Sequence, residues 1–349
     1  GISMEFSATQ PTDALVQEAQ TKQYDEIIAA LKAGNRILVV SHERPDGDAV
    51  GSVSGLVRSL RKAGKRVDAC FSTPIPPGFF FAVEEEIIPS EHLTRIDYDL
   101  VVVLDTGDQP RTGFNDFLEA TKALVINIDH HPSNTLYGDL NLTDFEACST
   151  CEIIVDLLRR ASLPFDAEVA EGLYLGMLTD TRFFQNEKIR PSAFSTAAAL
   201  LATGLDTGPI LGKLNRQRTL SELRLLGLGL QKLETSLDGR MVKIVLSRAD
   251  FAAAGAVLEN AWSCGLFGQM IALKEAVVGV CLMESAEGKC FAEFRSVGGF
   301  NVKDIAVSMG GGGHLAASGC NRSALFSEFV QEAAEKVEAR LRTFLSSEK

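Results

Sequence analysis

Four short apolar runs, residues 36–41, 67–71, 100–104 and 124–128, are spaced along the first part of the chain with polar loops and helical patterns around them. Among them, the runs 100–104 and 124–128, short and β-branched, read as strands buried on both faces, as in a parallel sheet. Their alternation with helical segments at 22–33, about 49–62, 153–160 and 167–178 predicts an α/β domain, a parallel sheet with helices on both faces. Residues 149–152 read as a capping box opening the third of these helices, and the fourth ends in a polar turn at Thr179 and Asp180. From 191 to about 235 the pattern is helical and rich in Ala and Leu, broken at Gly204, Gly208 and Gly212. Strand-like runs at 241–246, 276–283 and 290–294 follow, then a glycine cluster at 310–313 and an amphipathic helix over about 327–345. The expected organisation is an α/β domain over 1–205, a helical connector over 206–235 and a smaller α/β domain over 236–349.

A length of 349 residues agrees with two domains, at roughly 150 residues each. The 34 Lys and Arg against 46 Asp and Glu leave a formal charge of −12. A protein that grips long nucleic acid by counterion release carries a basic stripe, and none is visible here. Long duplex nucleic acid is therefore not an expected partner, and a phosphate-bearing ligand should be small. No stretch approaches the ~18 apolar residues of a membrane span, and the start lacks a basic-then-apolar leader pattern, so a cytoplasmic protein with no membrane partner is expected. Seven irregularly spaced cysteines read as reduced thiols, the pair Cys148 and Cys151 included.

The chemistry concentrates where strands end. Segment 41–52, SHERPDGDAVGS, places His42, Asp46 and Asp48 in the loop at the carboxyl end of the first strand, where open α/β sheets bind ligands. An imidazole and two carboxylates beside a helix N-terminus suit a hard or borderline divalent cation; the plainer reading is an Asp-capped loop. The pattern then recurs: LDTGD ends another strand at Asp105, IDHH ends the next at Asp129, His130 and His131, and Asp180 follows a helix. Asp46, Asp48, Asp105 and Asp180 would bring four negative charges together, which two divalent cations cancel. Two such ions ~3.5–4 Å apart can share a hydroxide of lowered pKa and clamp the attacking and leaving oxygens of an in-line phosphoryl displacement. Mixed Asp and His donors point to Mn²⁺ first, with Mg²⁺ or Co²⁺ as the other candidates.

Together SHERPDGDAVGS, LDTGD, IDHHPSN and LTDT resemble, in order and spacing, the four motifs of the DHH phosphoesterase superfamily. FRSVGGFNVKDIA followed by GGGGHLAASG resembles the DHHA1 substrate-binding domain. A stand-alone pair of this kind is most similar to the nanoRNase/pAp phosphatase family. The resemblance implies that His42, Asp46, Asp105 and Asp180 hold one metal and Asp48, Asp105, His130 and Asp180 the other, with Asp105 and Asp180 bridging. It also implies that His131 faces the substrate phosphate or leaving oxygen and that Asp129 orients the imidazoles. Arg295, Ser296 and the N–H groups of Gly311, Gly312 and Gly313 would hold a terminal phosphate or the nucleotide, with His314 reaching the scissile phosphate. Consecutive glycines able to form an anion nest, and the fork of an Arg, agree with that assignment on physical grounds. One departure concerns the residue after Asp180 and Thr181, often Gly in the family and Arg182 here.

The expected activity is metal-dependent hydrolysis of short oligoribonucleotides to 5′-mononucleotides and of 3′-phosphoadenosine 5′-phosphate to AMP and phosphate. The alternatives are a phosphodiesterase for cyclic or linear dinucleotides, and a nucleotide- or RNA-binding regulator without turnover. The regulator is disfavoured because every metal-ligand position is filled. A homodimer is implied by the resemblance alone.

Overall fold

The computed structural model describes residues 11–83, 87–186 and 189–347. The chain divides into two compact units, Gly1–Asn215 and Arg216–Lys349. In the first, β1 (Arg36–Val40), β2 (Arg66–Cys70), β3 (Leu100–Leu104), β4 (Leu124–Asp129) and β5 (Leu140–Thr143) form one parallel sheet in the order β2-β1-β3-β4-β5. Its helices are α1 (Pro11–Ala33), α2 (Gly47–Lys62), α3 (Asn115–Ala120), α4 (Thr150–Arg160), α5 (Ala167–Asp180), α6 (Pro191–Ala202) and α7 (Gly208–Asn215). Strand alternation sorts two cores: Ile37, Val39, Leu100, Val102 and Leu104 pack with α1, α2 and α4, while Leu38, Val40, Val101 and Val103 pack with Phe114 and with Leu118 of α3. Each fully buried Val or Leu contributes about 1.5–3 kcal/mol, which is why these runs must be central strands. β5, with Asn141 and Thr143 among its four residues, carries no such run and leaves no pattern in the sequence.

With β2 on one side of β1 and β3 on the other, the connections diverge there, and the carboxyl ends of β1 and β3 border the crevice where such sheets bind ligands. Two glycines bring α2 and α5 close beside it. A Cβ at Gly51 would lie 2.1 Å from the Gly172 carbonyl oxygen, and one at Gly47 would lie 2.2 Å from Thr179 Oγ1. The first turn of α2, carrying Asp48, is thereby set against the last turn of α5, carrying Asp180. The expected polar turn is corrected on this point: α5 runs on through Thr179 and Asp180.

The second unit contains α8 (Leu220–Gln231), β6 (Glu234–Ser236), β7 (Met241–Leu246), α9 (Arg248–Ala254), α10 (Asn260–Ser263), α11 (Leu266–Met270), β8 (Val278–Glu284), β9 (Lys289–Ser296), α12 (Lys303–Ser308), β10 (Gly312–His314), β11 (Ala317–Ser323) and α13 (Phe326–Ser347). The stretch expected as a connector thus contributes α7 to one unit and α8 to the other. The sheet order is β10-β11-β9-β8-β7-β6, with β7 and β8 parallel and the other neighbours antiparallel. α13 lays Phe329, Ala333, Val337 and Leu341, spaced four apart, into one core, and Phe251, Leu266, Phe267 and Met270 belong to the other. Within the glycine cluster, Gly312 and Gly313 begin the edge strand β10. A Cβ at Gly311 would lie 2.1 Å from the Gly319 carbonyl oxygen, so glycine is needed for two backbones to approach. Among the described residues no helix is long and apolar enough to cross a membrane, and all seven cysteines are free.

Candidate metal centre

The ends of β1, β3 and β4, with the facing ends of α2 and α5, bring His42, Asp46, Asp48, Asp105, His130, His131 and Asp180 together. Donor atoms within 4.8 Å of one another fall into three sets: His42, Asp46 and Asp105; Asp48, His130 and Asp180; Asp105, His130 and His131. Asp105 links them. Its Oδ2 is 3.5 Å from His42 Nε2, and its Oδ1 is 3.6 Å from His130 Nε2 and 3.7 Å from His131 Nδ1. Asp180 Oδ2 and Asp48 Oδ2 lie 3.4 and 3.7 Å from His130 Nε2, and Asp46 Oδ1 lies 3.7 Å from His42 Nε2. These separations exceed ordinary hydrogen bonds and match N and O donors that each sit about 2.1 Å from a shared cation. Of the two residues expected to bridge, Asp105 spans the sets, whereas Asp180 groups with Asp48 and His130.

Most of these side chains are held from behind. Asp46 caps α2 by accepting from the Ala49 N–H. Asp48, fully buried, accepts from the Thr150 and Cys151 N–H groups at 2.7 and 3.0 Å, where the N-terminus of α4 favours an anion. The Thr150 hydroxyl donates to Asp105 Oδ1 at 2.9 Å. His130 Nδ1 donates to the Ala147 carbonyl at 3.2 Å, which leaves Nε2 turned to Asp48, Asp105 and Asp180. His131 Nδ1 donates to Asp129 Oδ1 at 2.7 Å, and Asn134 Nδ2 donates to Asp129 Oδ2 at 2.7 Å. Asp105 itself has φ 55°, a left-handed backbone that a buried non-glycine residue keeps only where its surroundings impose it.

Burial, and then the charge of Asp48, push the Asp105 carboxyl well above the usual range. The same causes push Asp180 up to about 7. Burial works against a charged His42, yet the hydrogen bonds to Asp105 and Asp46 outweigh it and hold the ring up at about 10. Acids that resist ionising beside an imidazole that retains its proton mark a site short of positive charge. Four carboxylates and two imidazoles fit hard or borderline divalent ions. The neighbouring Cys151 thiol is kept neutral by burial and by the Asp48 charge, so no thiolate competes.

The remaining expected residues lie in the second unit. Arg295 stands opposite Ala317 and Ala317 opposite His314, so Arg295 and His314 share one face of the sheet. Arg295 Nη1 donates to Glu293 Oε2 at 2.9 Å and to the Phe294 carbonyl at 2.8 Å. Ser296 is buried and donates to the Phe300 carbonyl at 2.5 Å, tying down the turn after β9. Gly311 precedes β10, while Gly312 and Gly313 pair with Gly319 and Ser318 of β11 and do not form an open nest. Arg182 is exposed at φ 49°, where glycine would carry no strain, and its Nε donates to Asn186 Oδ1.

Thr150, Asn134 and Ala147 were not among the expected site residues, although Asn134 closes the IDHHPSN segment and Thr150 is the second residue of the capping segment. That box is itself corrected: Ser149 accepts from the Glu152 N–H, but the Glu152 carboxylate accepts from the Cys148 N–H, one residue earlier than a box requires.

Comparison with known proteins meets this geometry from the other side. Residues 36–177 match the N-terminal domain of the DHH family, and residues 252–343 match the DHHA1 domain. The chain belongs to the DHH family, in the two-domain form with DHHA1, and is a phosphoesterase of that class. Within it, the chain is 30% identical over 290 residues to the bifunctional oligoribonuclease and PAP phosphatase NrnA of Thermus thermophilus, covering 83% of this chain and 85% of that protein. The protein of the same description from Bacillus subtilis is 27% identical over 303 residues, covering 85% of this chain and 92% of its own length. The solved structure of an exopolyphosphatase-related protein from Bacteroides fragilis superposes with a TM-score of 0.77 at 25% identity, covering 93% of this chain and 96% of the other.

Proposed function

We propose that this chain releases 5′-mononucleotides from very short oligoribonucleotides and removes phosphate from 3′-phosphoadenosine 5′-phosphate, using two divalent cations, Mn²⁺ in the first place. The observation that carries the reading is Asp105, a strained and buried strand end whose two oxygens face different donor sets. His42, Asp46 and Asp105 would hold one cation, and Asp48, His130 and Asp180 the other, with Asp105 shared. Bound there, the cations supply Lewis acidity and charge neutralisation for phosphoryl transfer.

The chain's own groups do the rest. The hydrogen bond to Asp129 raises the His131 pKa against the cost of burial, which favours the protonated ring, and Nε2, outside that bond, would be the atom that gives a proton to a leaving oxygen. Burial would push Asp129 up, but His131 and Asn134 hold it low, so it stays an acceptor and fixes the ring. Arg295 and His314, on one sheet face, suit a terminal phosphate, and Ser296 shapes the turn beside them. The relatives' names support the substrate class, and the charge of −12 favours short ligands over long polyanions. We place this activity in the cytoplasm.

The test is Mn²⁺-dependent turnover of 3′-phosphoadenosine 5′-phosphate, a dinucleotide, a five-nucleotide RNA, a cyclic dinucleotide and pyrophosphate at equal concentration. Turnover of the first three and none of pyrophosphate is expected. Preference for the cyclic dinucleotide would move the chain to second-messenger degradation, and silence on all five in a metal-loaded sample would make it a binding protein.

A further inference from the structure

The segment 144–152, from the end of β5 into the first turn of α4, supports three of the metal-centre residues at once. Its Ala147 carbonyl accepts from His130 Nδ1, its Thr150 and Cys151 N–H groups hold Asp48, and its Thr150 hydroxyl holds Asp105. One guanidinium fixes the segment itself. Arg190, the residue before α6, donates from Nη1 and Nη2 to the two oxygens of Asp144 at 3.2 and 2.5 Å, and from Nε to Glu152 Oε1 at 3.2 Å. Asp144 opens the segment and Glu152 closes it. Glu152 is only 4% exposed, and its other partners are neutral: the Ser192 hydroxyl at 2.6 Å and the Cys148 N–H at 2.7 Å. The Asp144 N–H in turn donates to the Asp129 carbonyl at 3.3 Å, which ties the segment to the end of β4. Arg190 also lines, with His130 and Asp180, a cavity of about 540 Å³.

We propose, resting on the metal-centre reading above, that Arg190 is a positioning residue: by stapling Asp144 to Glu152 it holds the Ala147 carbonyl where His130 keeps its proton on Nδ1 and offers Nε2 to a cation. The planar fork reaches two carboxylates in fixed directions, which a lysine ammonium cannot do. Without it Glu152 retains a buried charge with neutral partners only, and the turn relaxes to find others. His130 then loses its acceptor and takes up the tautomer protonated on Nε2, which cannot coordinate. The hydrogen bonds of Arg190 and Glu152 go to this segment and to Ser192 and not to the donor sets, so the effect passes through the turn.

The experiment compares the full chain with Arg190→Gln, both labelled with ¹⁵N at histidine. The His130 ring is read by long-range ¹H–¹⁵N correlation without metal, its signal assigned with His130→Gln, and Mn²⁺ affinity is read by calorimetry. The wild type should show Nδ1 protonated. Arg190→Gln should show mixed tautomers and an Mn²⁺ Kd raised roughly 10–100-fold, at a temperature well below its melting point. Arg190→Lys should recover little, and adding Asp144→Asn to Arg190→Gln should cost nothing more, as for residues that act through one another. A merely structural role would lower the melting temperature and leave tautomer and affinity alone; that result overturns the proposal. Should Arg190→Gln fail to fold, Asp144→Asn keeps the Arg190–Glu152 pair, is expected to make the same two changes in smaller measure, and overturns the proposal if it makes neither. Absence of Mn²⁺ binding by the wild type would overturn the metal reading, while the metal-free tautomer comparison would still decide whether Arg190 sets His130.

Discussion

The two units hold their candidate residues in opposite ways. In the first, Asp48, Asp105 and Asp129 are buried; Asp48 and Asp105 accept hydrogen bonds from the start of α4, and Asp129 accepts two from the loop that follows its strand. In the second, His314 is exposed on an edge strand, and Arg295 is half-buried with a partner two residues away on its own strand. The difference agrees with the roles proposed for the two groups. Groups that must stabilise developing charge gain from being fixed and dry, because low dielectric and prepaid orientation make each contact stronger. Groups that take hold of a ligand end must be reachable first, and they are worth less singly.

The largest expected effect tests the buried side. Asp105→Ala removes the one carboxylate shared by the donor sets, a loss of several kcal/mol of charge stabilisation, or about 10³-fold in kcat. It should be measured on 3′-phosphoadenosine 5′-phosphate and on a dinucleotide, with a thermal melt to show that the fold survives. A folded variant with a near-normal rate would break the comparison, because the buried cluster would then be structural.

That contrast also explains what could be read from the sequence. The parallel sheet was legible because Val, Ile and Leu crowd 37–40, 100–104 and 124–128 and announce burial on both faces, and His42, Asp105 and His130 were legible because they stand within two residues of the ends of these runs. β5 was not, since Asn141 and Thr143 break its pattern, and neither was β10, since glycine carries no periodicity. The supports were illegible for another reason. Asp48 meets Thr150 102 positions away and Arg190 meets Asp144 46 positions away, and such pairings leave no local signal. Nor does any residue type announce the left-handed backbone of Asp105, which the surrounding structure imposes.

The next effect tests the exposed side. Arg295→Ala removes a charged donor, about 1.5–3 kcal/mol if it meets a phosphate, so KM for phosphate-ended substrates should rise roughly 10- to 100-fold with kcat little changed. A bis-ester lacking a terminal phosphate should be affected much less. Equal losses on both, or a loss confined to kcat, would place Arg295 in the chemistry and erase the division between the units.

The smallest effect sharpens the comparison through stability. In chelator, Asp180 stands at about 7 against an ordinary 3.8, and Asp105 is raised as well. An acid held up in the folded state is most favourable where it is protonated in both states, and stability is lost as pH rises from its ordinary value through its folded one. His42, at about 10 against 6.5, contributes stability that is complete below pH 6.5 and lost on the way to 10. Both therefore act in one direction, and the melting temperature of the first unit should fall by several °C between about pH 5 and 9. In the second unit the Arg322 hydrogen bond holds Glu332 low, and at Asp250 burial is outweighed by hydrogen bonds from Lys232 and Ser247, so both acids stay ionised over that range and add no slope. Mn²⁺ should flatten the dependence, because the cation takes the place of the protons. Asp180→Asn should remove its lower part, and a flat profile for the wild type in chelator would mean that the carboxylates of the first unit do not crowd one another.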